Sequence, residues 1–231
     1  MILLAVSCGN NVNFLGDGLT GNGNVTSSKR TLTENFDAIE AKTGITVLVE
    51  QADNYAVEAT TDENLQQHLK TEVKEGVLTI YFDENIHKAE KRTVHVKVPT
   101  LKRISSSSGS YVESTNTIKS ENLDLKSSSG TEMKLNINAK NVSCDSSSGS
   151  EISAKGKAEN LRTESSSGST IELEELEVAN AICKSSSGSS TKVNPYESLD
   201  ADASSGSSIK YYTSPKQIKI DESSGASVSK K

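Results

Sequence analysis

Ser146-Ser147-Ser148-Gly149-Ser150-Glu151-Ile152, Ser165-Ser166-Ser167-Gly168-Ser169-Thr170-Ile171 and Ser185-Ser186-Ser187-Gly188-Ser189-Ser190-Thr191 are copies of one pattern. Ser-Ser-Gly recurs seven times, with glycines at 109, 130, 149, 168, 188, 206 and 225, spaced by 21, 19, 19, 20, 18 and 19 residues. A period near twenty in a strand-rich chain marks a solenoid, in which each repeat is one coil stacked on the last. Aligned on the glycines, apolar residues fall into columns. Val112, Met133, Ile152, Ile171, Thr191, Ile209 and Val228 stand three places after the glycine; Leu123, Val142, Leu161, Ala181, Leu199 and Ile218 stand seven before it. Each coil then has two short strands of period two, with a weaker third side through Ile118, Ile137 and Leu176. Asn122, Asn141, Asn160 and Asn180 share a polar column, as a stacked amide ladder requires. Glu121, Lys140, Glu159, Glu197 and Lys216 form a charged column beside it. A flexible Ser-Gly linker would not hold such columns in register.

Composition agrees with thin coils. Hydrophobic residues make up 33% of the 231, and Trp is absent. That is low for a globular core, but a solenoid completes its core coil by coil. A net charge of −6 argues against nucleic acid, which demands clustered Lys and Arg. At the N-terminus, Met1-Ile2-Leu3-Leu4-Ala5-Val6-Ser7-Cys8-Gly9 looks like a bacterial lipoprotein signal with its lipobox, although it lacks a basic n-region. Residues 1–8 are read as this signal, with Cys8 lipidated and the membrane reached through that lipid. Residues 9–28, rich in Gly and Asn, are read as a flexible tether. Cys144 and Cys183 share a column two coils apart, so at ~4.8 Å per coil their Cα atoms lie roughly 9.6 Å apart. That is too far for a disulfide. Both are expected to be free, buried thiols.

Residues 29–104 lack the repeat and read as a β-rich N-terminal region, with the solenoid occupying 105–231. Phe36–Glu40, Ile45–Glu50, Ala56–Thr60, Lys70–Val73, Val77–Phe82 and Thr93–Val98 read as strands. Lys74-Glu75-Gly76 reads as a hairpin turn. Thr60-x-x-Glu63 suggests a capping box opening a short helix that carries Leu65 and Leu69.

Phe36-Asp37-Ala38-Ile39-Glu40, Gly44-Ile45-Thr46-Val47, Glu75-Gly76-Val77-Leu78-Thr79-Ile80 and Val96-Lys97-Val98-Pro99-Thr100-Leu101-Lys102, followed by Ser-Gly coils, resemble the putative auto-transporter adhesin, head GIN domain family of bacterial lipoproteins. The resemblance implies a right-handed parallel β-solenoid at the cell envelope of a Gram-negative bacterium, in the outer membrane or on the surface, with an adhesive role. It brings no catalytic residues. The chain shows no membrane barrel of alternating strands, so the Cys8 lipid is the expected anchor.

No residues stand out for catalysis. His68, His87 and His95 lack metal-ligand spacing, and neither a nucleophile elbow nor a phosphate loop is present. No cofactor is expected. Some polysaccharide-cleaving enzymes are β-helices with a charged wall, and Glu113, Lys134, Glu172, Lys192 and Lys210 would form one; a solvated face is the simpler account. The serine columns also suit ice or mineral binding, but a turn favours small residues anyway. Among nine aromatic residues, Tyr196, Tyr211 and Tyr212 form the only cluster and the candidate ligand face. The chain therefore reads as a non-catalytic envelope lipoprotein that binds a glycan or surface protein. A β-helix enzyme and a structural envelope protein are the alternatives. Open solenoid ends also make a homo-oligomer an expectation.

Overall fold

The structure, a computed structural model, describes residues 18–231. The lipobox, Cys8 included, lies outside the described residues. The strands are β1 (Leu19–Thr20), β2 (Val25–Lys29), β3 (Ala38–Ala41), β4 (Thr46–Gln51), β5 (Ala56–Asp62), β6 (Leu69–Lys74), β7 (Val77–Phe82), β8 (Ile86–Lys88) and β9 (Arg92–Val98). They continue with β10 (Arg103–Ser106), β11 (Tyr111–Ser127), β12 (Glu132–Ser146), β13 (Glu151–Ser165), β14 (Thr170–Ser185), β15 (Ser190–Ala203), β16 (Ser208–Tyr211), β17 (Gln217–Glu222) and β18 (Ser227–Lys230). From β10 onward every pairing is parallel, with only local slips in register, so the repeat forms a β-solenoid.

Each full coil is one long strand bent around a corner, rather than two short strands with a break. β12, for example, pairs with β13 from Glu132–Glu151 through Ser146–Ser165. The Asn column turns this corner. Asn141 donates to Asn122 at 2.8 Å, Asn160 to Asn141 at 3.0 Å and Asn180 to Asn160 at 3.1 Å, and Ser198 continues the ladder into Asn180. Beside it Lys140 meets Glu121, and Lys216 meets Glu197. These exposed pairs are each worth only a few tenths of a kcal/mol.

The opposite corner is the Ser-Gly turn, and it differs from a turn carried by glycine alone. Ser167 and Gly168 both have positive φ, 53° and 68°, and all seven turns share this. Two consecutive positive φ values define a type I′ turn. The Ser169 N–H returns to the Ser166 carbonyl at 3.1 Å, closing it. It is the residue after the glycine that turns inward: Ser150 Oγ reaches the carbonyls of Ser147 and Ser127 at 2.7 and 2.8 Å. With Ser146, Ser165 and Ser185 these hydroxyls build a buried polar seam next to the apolar columns. Hydrogen bonding makes that burial tolerable.

Residues 29–104 do not form a separate unit, because one apolar cluster runs from Phe36 to Ile209. β3 lies between β7 and β10, and β4 lies between β9 and β11, all parallel. The chain thus lays down one coil, moves outward to make the end coil from β7 and β9, then passes back to begin β10. The end coil is closed by antiparallel strands: β6 on β7, β5 on β9 and β2 on β5. Such covering removes a free sheet edge.

Two expectations in this region are corrected. Residues 18–28 are not tether: β1 pairs with β8 and β2 pairs with β5, where Ser27 and Thr60 hydroxyls meet at 2.8 Å. Val25-Thr26-Ser27-Ser28-Lys29 is too polar to announce a strand, and pairing with a neighbour far along the chain makes it one. Nor does Thr60 cap a helix. β5 runs through Asp62, and only a 3-10 turn over Glu63–Leu65 follows, with no side-chain cap. Leu65 and Leu69 are buried as expected.

Cys144 and Cys183 are buried and free. Burial pushes both thiols up, Cys183 to about 12, with Thr163 opposing the rise, so neither thiol is a nucleophile at neutral pH. Thr163 sits between them, fully buried, with its Oγ1 lacking a well-aligned partner. Thr163→Val keeps the shape and removes a buried hydroxyl whose polar neighbour is the weakly accepting Cys183 sulfur. It is expected to stabilise the protein by about 1 kcal/mol in a urea titration; a lower midpoint would show that the hydroxyl is bonded.

Candidate binding wall

The coil face running from each Ser-Gly turn toward the next corner carries the irregularities. Register slips between Glu113 and Thr117 against β12, between Ser153 and Gly156 against β14, and between Leu173 and Glu177 against β15. At the Leu173 slip, Leu173–Val193 is followed directly by Glu177–Asn194, so Glu174, Glu175 and Leu176 have no partner on β15; Leu176 stays in the core while Glu174 and Glu175 line the wall. β-Bulges re-aim side chains. Here they open a groove of about 340 Å³ whose lining includes Glu113, Lys134, Asn136, Lys155, Glu172 and Glu174. Leu135 and Ala154, both nearly buried, also line it.

Charges of both signs fix this wall. Lys192 bridges Glu172 at 2.6 Å and Glu174 at 3.6 Å. The second Glu174 oxygen and the Asn194 amide oxygen are buried acceptors without a partner. Lys134 holds Glu132 at 2.5 Å and lies 5.8 Å from the Tyr111 ring centre. Tyr111 donates to Glu113 at 3.0 Å. Partial burial raises Glu151, and the neighbouring Glu172 and Glu132 raise it further. The bond to Glu172 is the main reason Lys192 is raised, with Glu174 and the nearby Tyr212 adding to it.

The three tyrosines singled out from sequence do not form one patch. Tyr211 leans against the core, as its place in line with Val193 dictates. Tyr212 points the other way, joins the wall beside Lys192 and lies 5.3 Å from the Lys231 ammonium. Tyr196 is 49% exposed at the far corner. Thr213, which donates to the Pro195 carbonyl, carries the chain after Tyr212 over that corner. Sequence reasoning missed Tyr111. Column alignment held the signal, since Tyr111 and Glu113 lie directly below Glu132 and Lys134. Of the charged wall read from sequence, Glu113, Lys134 and Glu172 line the groove and Lys192 braces it, while Lys210 stands one coil further on.

Among the described residues, no three His, Cys, Asp or Glu side chains gather as a metal site. His68 is engaged by Asp83 at 3.0 Å, and among the described residues no helix is long and apolar enough to cross a membrane.

The family model described as "Putative auto-transporter adhesin, head GIN domain" matches residues 35–215. The chain belongs to this family. The head GIN match spans the N-terminal coils and nearly all of the solenoid, and the adhesin description points to a place at the cell surface. No curated protein matches the sequence. Among solved structures, a putative adhesin from Bacteroides fragilis aligns with a TM-score of 0.87 at 19% identity, covering 93% of this chain and 100% of that one. A putative adhesin from Parabacteroides distasonis aligns at 0.75 and 24% identity, covering 93% and 100%. A protein titled a putative lipid binding protein, also from P. distasonis, aligns at 0.74 and 20%, covering 92% and 99%. At these identities the likeness establishes the shared fold.

Proposed function

We propose that this head GIN protein is a non-catalytic lipoprotein of the cell envelope, anchored through Cys8, that binds a glycan or surface protein with its bulged wall. The groove carries the reading. Ammonium donors at Lys134 and Lys155 face carboxylate acceptors at Glu113, Glu172 and Glu174 above an apolar floor. Such a surface suits the hydroxyls and C–H faces of a sugar or the mixed edge of a protein. Tyr111 and Tyr212 add aromatic surface beside Lys134 and Lys192 of the wall.

The enzymatic alternative rests on Glu132 and Glu151, adjacent in register, one paired with Lys134 and the other raised. If the wall cleaved polysaccharide, Glu151→Gln would abolish turnover while sparing binding.

The test is a panel of glycans and extracellular-matrix proteins presented to residues 18–231. Saturable binding is expected, weakened at least about tenfold, or ~1.4 kcal/mol, by Lys134→Glu with Lys192→Glu. Arg162→Glu, on the other face of the coil, is expected to leave it unchanged. Silence across the panel, or equal loss with Arg162→Glu, would overturn the reading.

A further inference from the structure

The two ends of the stack are finished differently. β6, β5 and β2 cover the end made by β7 and β9. At the other end, β17 and β18 have partners on one side only among the described residues. Ile218 and Ile220 are 45% and 42% exposed, whereas Leu199 and Ala201, directly below them, are 2% and 0%. The inward columns carry charge at this coil. Glu222 stands in the inward column held below by Ser165, Ser185 and Ala203, and Lys230 in that of Leu173, Val193 and Tyr211. Another such coil would bury both charges.

The backbone of this end is only half closed. In a parallel ladder alternate residues bond to alternate sides. Ser223 N–H donates to the Ala203 carbonyl below, so Asp221 and Lys219 also face β15. Ile218, Ile220 and Glu222 therefore turn their N–H and C=O groups outward. On β18 the outward N–H of Val228 is already taken by the Glu222 carboxylate. β17 is left as the adhesive edge.

We propose that β17 pairs antiparallel with β17 of a second copy, across a two-fold axis at Ile220. Charge selects this register. Residues with outward backbone groups must oppose one another, which leaves registers two residues apart. Centred on Ile220, Lys219 lies opposite Asp221 of the second copy, twice. One step either way sets Lys219 against Lys219 or Asp221 against Asp221, and like charges directly opposite are destabilising. The pairing also covers both isoleucines, with Ile218 meeting the stem of Glu222 from the second copy. It leaves the two bulged walls pointing outward from one assembly, which doubles the sites presented to a surface.

Light scattering and sedimentation over a concentration series of residues 18–231 test this. The wild-type protein is expected to be a dimer. Ile220→Lys and Asp221→Lys are expected to be monomers with unchanged thermal melts, since both positions are on the exposed last coil. Combining Lys219→Asp with Asp221→Lys restores the opposite charges and is expected to restore the dimer. A wild-type monomer at every concentration overturns the proposal, as does a dimer indifferent to Ile220→Lys. Failure of the charge swap to restore association overturns the register.

Discussion

Gly156→Ala is expected to destabilise the protein by ~3–5 kcal/mol, far more than the same change in any Ser-Gly turn. Gly156 has φ of +117°, outside the left-handed helical region that other residues sometimes visit. A Cβ there would lie 2.1 Å from the Ile137 carbonyl oxygen and 3.2 Å from its carbon. That obstacle is backbone in the coil next door, so relief requires the sheet to part. Strain and overpacking of about 1–3 kcal/mol each add here. Gly168 gives the contrast: φ is +68° and nothing lies within 4 Å of its added Cβ. Gly168→Ala should therefore cost only the ~1–2 kcal/mol of the left-handed conformation. For a chain of this size the two melting temperatures should differ by roughly 5–10 °C. Coincident melts would contradict the close packing. Gly156 also borders the slip that opens the groove, with Lys155 and Ala154 beside it. Gly156→Ala is thus expected to weaken ligand binding as well as stability.

Asp62→Ala is expected to cost about 3 kcal/mol and to loosen the covered end of the stack. Asp62 is buried, and its carboxylate accepts from Gly23 N–H at 2.7 Å and Glu90 N–H at 2.9 Å. It thereby ties the turn before β2 and the loop before β9 to the end of β5. Bonds to a charged group contribute about 1.5–3 kcal/mol each, and their loss leaves two donors unpaired. Burial pushes the carboxyl up, but backbone bonds from Gly23, Glu90 and Lys91 outweigh it, so it is held below the usual carboxylate range. A lowered folded value stabilises the protein above the unfolded value, near pH ~4. That stability is lost as pH falls through the lower folded value. Acid titration of Asp62→Ala should accordingly show a shallower loss of stability than wild type below pH ~4. Parallel acid limbs would mean that Asp62 is not the group responsible. Gly21 is bound to the same knot, since a Cβ there would lie 2.3 Å from Asp62 Oδ1.

The solenoid was legible because stacking repeats a sequence signal coil after coil. Columns such as Val112–Met133–Ile152 and Asn122–Asn141–Asn160 come from the same geometry that puts these residues one above another. The N-terminal coils were less legible, since β3 and β4 stack between elements made later in the chain and nothing local encodes that order. β2 was hidden for a related reason: its polar residues become a strand only beside β5. The candidate wall was legible in part. Glu113, Lys134, Glu172 and Lys192 fell in one column, but the groove depends on register slips, and unequal repeat lengths do not say which face absorbs the extra residues. Tyr211 and Tyr212 read as neighbours, yet adjacent residues on a strand face opposite ways.

Hydrogen exchange of residues 18–231, with and without a glycan or matrix protein captured from the panel, tests the central claim most directly. New protection is predicted along the wall, in the segments around Glu113, Lys134, Lys155 and Glu174, with the Ser-Gly corner unchanged. Protection centred on that corner, or no saturable ligand in the panel, would contradict it.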